Sequence, residues 1–226
     1  MYRLILSIVR WPLGCLILFS AGCKPKESYS SFVPTRQDSI AQAALVKRAF
    51  VQIEGIKKMI RDGDMITRTG NDFTSESLRS LNQRDKTFSH CGIASIEHDS
   101  IFIYHALGGD FNPDQKIRRD PIDFFADPYT NKGIGMFRFE IADSIKKQFA
   151  STARELFRQE IMFDMDFDLK TDDRMYCAEF VYKCFVKAGN GTLSFNHSHI
   201  KQFEFIGVDD LFLQPLCKKQ AQIVYK

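Results

Sequence analysis

The chain has 226 residues, a formal net charge of +3, 44% hydrophobic and 26% charged residues. This is the composition of an ordinary globular protein. So small a charge, with no dense Lys/Arg patch interleaved with aromatics, gives no ground for a nucleic-acid partner. The 21 phenylalanines suit a sheet-rich core.

In chain order, the first segment is "MYRLILSIVRWPLGCLILFSAGC". Arg3 and Arg10 precede an apolar run from Trp11 to Phe19, then small residues Ser20, Ala21 and Gly22 lead to Cys23. That layout predicts a secretory signal peptide over residues 1–22. A cysteine directly after small residues resembles the bacterial lipobox, which would make Cys23 the lipidated residue, although Ser20 stands where leucine is usual. Arg10 leaves an apolar stretch too short to span a membrane comfortably. Residues 23–37, polar with two prolines, read as a tether from membrane to domain. The expected location is therefore the bacterial cell envelope, on a lipid anchor facing the periplasm or exterior.

Residues 38–226 read as one domain. Asp38 or Ser39 can cap an amphipathic helix whose apolar positions include Ile40, Ala44, Phe50, Ile53, Ile56 and Ile60. "RDGDMITR" turns at Gly63 into a short strand. "HCGIASIEHDSIFIYHALGG" reads as two strands joined near His98 to Ser100, with Ile101, Ile103 and His105 on one face of the second. "GMFRFEIA" is a further strand, and a helix capped at Asp143 or Ser144 follows. "DMDFD" suggests an extended edge segment, Cys177 opens another helix, and "AQIVYK" is a final strand. This order predicts an α+β fold with an antiparallel sheet packed against helices.

From Cys177 the apolar positions Phe180, Val181, Cys184, Phe185 and Ala188 recur at helical spacing, with Glu179, Lys183 and Lys187 assigned to the other face. Gly189 to Gly191 supply the stop. Cys177 thus lies on the inward face of the first turn. A buried cysteine is commonly a small hydrophobe, but the amides of a helix start favour thiolate over thiol. His90, at the front of a strand in "FSHCGIASI", is either a satisfied structural residue or the base for that thiolate. A thiolate attacks an acyl carbon, an imidazole holds it and protonates the leaving group, and a third polar residue orients the imidazole. An antiparallel neighbour can bring His105 beside His90, with Glu97 and Asp110 as alternatives for that third role.

"GDMITR", "SHCGIA", "IYHA", "FDMDFD" and "YCAEFVYKCF" follow one another in an order that resembles the circularly permuted NlpC-type papain-like amidases, the YaeF/YiiX group. The likeness runs from about residue 60 to the C-terminus and includes "VDDL" near the end. It implies a permuted papain-like fold with Cys177 as nucleophile, His90 as base and His105 as third member. The chain departs from the family pattern at His105, where glutamate is frequent, at Cys91 for valine, and at Ala178 for serine. The backbone amide of Cys177 is the expected oxyanion-hole donor. Tyr176 either lines that hole or is a packed aromatic at the helix start.

Other motifs carry less. Asp164, Asp166 and Asp168 open like a calcium loop, but Leu169 and Met175 stand where glycine and glutamate are needed. His197 and His199 in "FNHSHI" read as a solvated loop rather than a chelate. No CxxC spacing argues for structural zinc, and no cofactor is implied. Among Cys91, Cys177, Cys184 and Cys217, an exported domain could form one disulfide. The first function expected is a lipid-anchored cysteine hydrolase acting on an amide bond in a small peptide or amino-acid amide, peptidoglycan-derived material included. The second is lipid acyl chemistry, from a further resemblance to the lecithin:retinol acyltransferase group. The third is a non-catalytic binding module that has kept the fold.

Overall fold

The computed structural model describes residues 36–109 and 112–225. The signal segment, most of the tether with Cys23, and Asp110 lie outside the described residues. The elements run α1 (Arg36–Lys57), β1 (Met65–Gly70), α2 (Phe73–Ser80), β2 (His90–Glu97), β3 (Ser100–His105), β4 (Arg118–Pro121), α3 (Ile122–Phe125) and β5 (Asn131–Phe139). They continue with α4 (Asp143–Arg158), β6 (Met162–Phe163), β7 (Arg174–Met175), α5 (Cys177–Ala188), β8 (Ser198–Ile200), β9 (Phe203–Phe205), α6 (Val208–Phe212) and β10 (Cys217–Val224).

Six strands form one sheet in the order β10-β5-β1-β2-β3-β4, and every neighbouring pair is antiparallel. Alternation sends successive side chains to opposite faces, and both faces are covered. On one side Met65, Cys91, Ile93, Tyr104, Phe137 and Phe139 pack with α4, α5 and α6. On the other, Ile66, Ala94, Ile103, Ile134 and Met136 pack with α1 and α3. In β10 the register slips between Lys219 and Ala221, so Cys217 joins the first layer while Ile223, of the same parity, joins the second. One extra residue reverses the strand's inward face.

The antiparallel α+β architecture expected from the sequence is present. The β2–β3 turn falls at His98 and Asp99, whose φ values of 48° and 63° give the left-handed pair of a tight hairpin. Gly63, at φ 84°, makes the turn into β1. The buried stripe of α1 differs from the expectation. It is Val46, Ala49, Ile53 and Ile56, whereas Ile40 and Phe50 are exposed, because the helix rests on the sheet only by its C-terminal half. The "DMDFD" segment, expected to be extended, is not: the strand β6 ends at Phe163, just before it. Within it the Asp164 carboxylate accepts N–H hydrogen bonds from Asp166 and Asp168 and folds the chain into a turn. The helices α2, α3 and α6 and the strand β4 carry too few periodic apolar residues to be read from sequence.

Candidate active site

The sequence "MYCAE" builds the start of α5. Glu179, three residues after Tyr176, reaches back and accepts the Tyr176 N–H at 3.1 Å, which satisfies one otherwise orphaned donor. Glu179 and Lys183 were assigned to the polar face, but both are buried. They pair with each other at 3.0 Å, and Lys183 also meets Asp172 at 2.9 Å and the Thr171 carbonyl. Burial is the main cause that raises the Glu179 carboxyl to about 7. Tyr176 is buried, and its hydroxyl accepts the Ile206 N–H at 2.7 Å. It therefore lines the site as a packed ring that ties α5 to the 203–212 segment.

His90 begins β2 opposite Arg68 of β1. His105 ends β3, opposite Arg118 of β4. The register puts Gly92 across from His105, and a Cβ added at Gly92 would lie 2.9 Å from His105 Cβ and 2.6 Å from Ile103 Cγ2. Glycine there leaves the room through which His105 leans toward His90. The two imidazoles meet at 2.8 Å, His90 Nε2 to His105 Nδ1, with ring planes 87° apart. The far nitrogen of His105, Nε2, lies 3.0 Å from Asp120 Oδ2. Arg118 grips the same carboxylate through Nη2 at 2.7 Å and Nε at 3.0 Å. Phe125 packs against both imidazoles, and the Arg68 guanidinium stands 4.9 Å over its ring. Cys177 comes from the opposite layer and lies near His90 where β2 begins, close enough for each side chain to shift the other's protonation.

The charge distribution follows from these contacts. Cys177 is held well below the ordinary thiol range, first by the Cys91 thiol beside it, then, against burial, by the charge and hydrogen bond of His90. Cys91 moves the other way, raised by burial and by the neighbouring sulfur. Burial lowers His90 to about 4, with Cys177 opposing it. Burial likewise lowers His105 to about 4, against its hydrogen bond to Asp120. Asp120 is pushed up by burial, but hydrogen bonds from His105 and Arg118 outweigh that and hold it at about 2. All four described cysteines, Cys91, Cys177, Cys184 and Cys217, are free thiols.

The sequence-derived trio Cys177, His90 and His105 is thus brought together, and Tyr176 stands beside it. Glu97 is elsewhere, bonded to Tyr104 and Arg119. Asp120 had not been singled out. Its segment, "RRDP", shows no apolar alternation, and only the β3–β4 register reveals that it shares a face with His105. A groove opens beside Cys177, lined by Leu78, Leu81, Phe167, Tyr176, Phe205 and Ile206, with Asn82 and Ser89 as polar members. Among its described lining residues there is no Asp, Glu, Lys or Arg. The groove's aromatic wall was not anticipated, since Phe167 (φ 56°) and Phe205 sit in irregular or very short elements.

These features define a class by architecture: a mixed α+β protein with an antiparallel sheet between helices and a cysteine–histidine pair at one end of the sheet. No family model and no curated protein matches the chain. Among solved structures, the fold is similar to that of metalloprotein yiiX from Escherichia coli O157:H7, with a TM-score of 0.59 and 17% sequence identity. The alignment covers 73% of this chain and 98% of that one. At this identity the likeness is one of fold. The metal belongs to the description of that protein; among the described residues here, no three or more His, Cys, Asp or Glu side chains are grouped to hold an ion. His197 and His199 instead share Glu204 as a partner. Among the described residues no helix is long and apolar enough to cross a membrane.

Proposed function

We propose that this protein is a cysteine hydrolase, with Cys177 as nucleophile and His90 as general base and acid, that opens an acyl bond through a thioester. The observation that carries the reading is the imidazole of His90, anchored by His105 at 2.8 Å, close enough to the Cys177 sulfur at the start of α5 for each to shift the other's protonation. In the forward step the Cys177 proton passes to neutral His90 as the sulfur attacks the substrate carbonyl carbon. The oxyanion falls against the backbone N–H of Cys177, at the positive end of α5. Collapse expels the leaving group, which takes the proton from His90. Water, activated by the same imidazole, then cleaves the thioester and frees the acid. On this reading His105 orients His90, and the Cys91 thiol helps hold the sulfur as an anion.

The first substrate class proposed is a small amide, in a peptide or amino-acid amide, including peptidoglycan-derived material. The second, lipid acyl chemistry, is favoured by one observation: the groove beside Cys177 presents aliphatic and aromatic side chains and no charged residue to receive the ends of a peptide. Lipid anchoring through Cys23, with the domain on the outer side of a cell-envelope membrane, remains part of the proposal from the sequence.

Iodoacetamide labelling at about pH 6 tests the nucleophile. Cys177 should react at least about tenfold faster than Cys184 and Cys217, whose thiols burial raises, Cys217 to about 12. Equal rates, or no change on His90→Ala, would sink the assignment. Incubation with peptide amides and with phospholipids, read by mass spectrometry against Cys177→Ala, then decides which substrate is consumed.

A further inference from the structure

We propose that Asp120 is a positioning residue that sets which nitrogen of His90 carries the proton, acting through His105 as a two-imidazole relay. The inference rests on the cysteine-hydrolase reading for its consequence, but not for its geometry. Asp120 is an ionised carboxylate in the grip of the Arg118 guanidinium, so it can only accept. His105 Nε2, 3.0 Å away, must therefore carry a proton and donate it. In neutral His105 the other nitrogen, Nδ1, then has a bare lone pair. That lone pair faces His90 Nε2 at 2.8 Å, so His90 Nε2 must carry the proton of that bond. Neutral His90 is left with an unprotonated Nδ1, the one ring nitrogen that remains free to accept a proton. Each hydrogen bond dictates the next, and the chain begins at a residue two imidazoles away from the sulfur.

The charged groups facing the imidazoles make Asp120 matter. Arg68 from β1 and Arg118 from β4 both oppose a positive charge on the histidines, while Cys177 from α5 and Asp120 from β4 favour one. Without Asp120 the two guanidiniums would be left beside an imidazolium with only the thiolate to balance them. Arg118 thus has two effects. Its charge opposes the imidazolium, while its fork, on both Asp120 oxygens, fixes the carboxylate that organises the relay. The carboxylate does not touch the reacting sulfur.

Asp120→Asn makes the test sharp because the arginine fork would claim the amide oxygen. The NH2 group would then be turned toward His105 Nε2. His105 would have to carry its proton on Nδ1 and donate to His90 Nε2, and His90 Nδ1 would carry an N–H instead of a lone pair. The intact protein with 15N-labelled histidine, read by long-range 1H–15N correlation, should show Nε2–H tautomers for both neutral His90 and His105 in the wild type. In Asp120→Asn both should switch to Nδ1–H. Cys177 alkylation at about pH 6 should slow by about tenfold or more, and turnover of a cleavable substrate should fall about a hundredfold through kcat with KM little changed. Asp120→Glu, which restores an acceptor, should recover part of each effect.

Wild-type His90 with its proton on Nδ1, or tautomers unchanged in Asp120→Asn, would overturn the relay. So would an alkylation profile for Asp120→Asn that overlays the wild type. If the variant does not fold, the wild-type tautomer pair alone decides, since the proposal requires both. The hydrolase reading fails separately, by slow wild-type Cys177 labelling, and that result leaves the tautomer measurement standing.

Discussion

The two sides of the site are made differently. The side that holds the proton comes from β2, β3 and β4, neighbours in one sheet, and its members are buried and bonded in series from His90 to Asp120. The side that would hold a substrate comes from short elements, α2, the 164–171 turn, β9 and the segment after it, with several exposed apolar side chains. Met165 and Phe203, each two residues before a groove residue, are among those exposed. A sheet fixes distances through its register, whereas irregular segments exchange side chains without disturbing the sheet. On this division, chemistry is held by strand register and substrate selection by the segments around α5.

The largest effect that could break the division is expected at Gly92. In Gly92→Ala the new Cβ would meet Ile103 Cγ2 at 2.6 Å, the Tyr104 carbonyl at 2.7 Å and His105 Cβ at 2.9 Å, so β2 and β3 must part. Urea denaturation should show a loss of about 3 kcal/mol. The surviving folded fraction should be slower by about a hundredfold, because His105 is pushed off His90. Gly55→Ala is the control. It lies within α1 with no atom within 4 Å of the added Cβ, so it should stabilise by about 0.5–1 kcal/mol. If Gly92→Ala cost stability but left the rate per folded molecule unchanged, register would not be what holds the imidazole pair.

A somewhat smaller effect is expected from pH. His105 has a folded value of about 4 against an ordinary 6.5, lowered by burial. Between those values the unfolded chain binds a proton that the folded chain refuses, so stability rises with pH through that window. The contribution is complete above about 6.5, declines as pH falls toward 4, and stays constant below that. After allowance for local rearrangement it amounts to about 2 kcal/mol. Asp120 titrates in a lower window, since its folded value of about 2 lies below the ordinary 3.8; its contribution is lost only as pH falls below about 4. Denaturant midpoints between pH 4 and 7 should flatten in His105→Asn relative to the wild type, and parallel curves would show that the imidazole is not held neutral by its surroundings.

Much of the proton-handling side was legible because it obeys short-range rules. Alternation along "SIFIYH" placed His105 with Ile103, the turn near His98 to Ser100 paired β2 with β3, and the helical spacing after Cys177 set the inward face of α5. Asp120 was not legible, because it depends on the pairing of β3 with a four-residue charged strand that begins thirteen residues beyond His105 in "RRDP". Glu179 and Lys183 misled for a related reason. Their spacing is that of a polar face, and only the folded contacts with Asp172, Thr171 and the Tyr176 N–H make burial tolerable. Charges that satisfy each other across an element carry no periodic mark in one dimension.

The smallest expected effect is also the one that separates binding from chemistry. Phe167 holds a left-handed backbone at φ 56° and leans on Tyr176 with ring centroids 4.8 Å apart, at the edge of the groove. Its ring is only partly buried, so Phe167→Ala removes groove wall without opening a core cavity, and thermal unfolding should move by a degree or two. If the groove binds an apolar acyl portion equally in ground and transition states, losing the ring raises KM by about tenfold, near 1.4 kcal/mol, with kcat unchanged. A charged peptide amide gains little from that wall, so its KM should change less than about twofold. The paired measurement therefore ranks the two substrate classes. If kcat fell as far as expected for Asp120→Asn for either substrate, the groove would be helping to place the reacting groups, and the division between a fixed sheet and an exchangeable rim would not hold at Phe167.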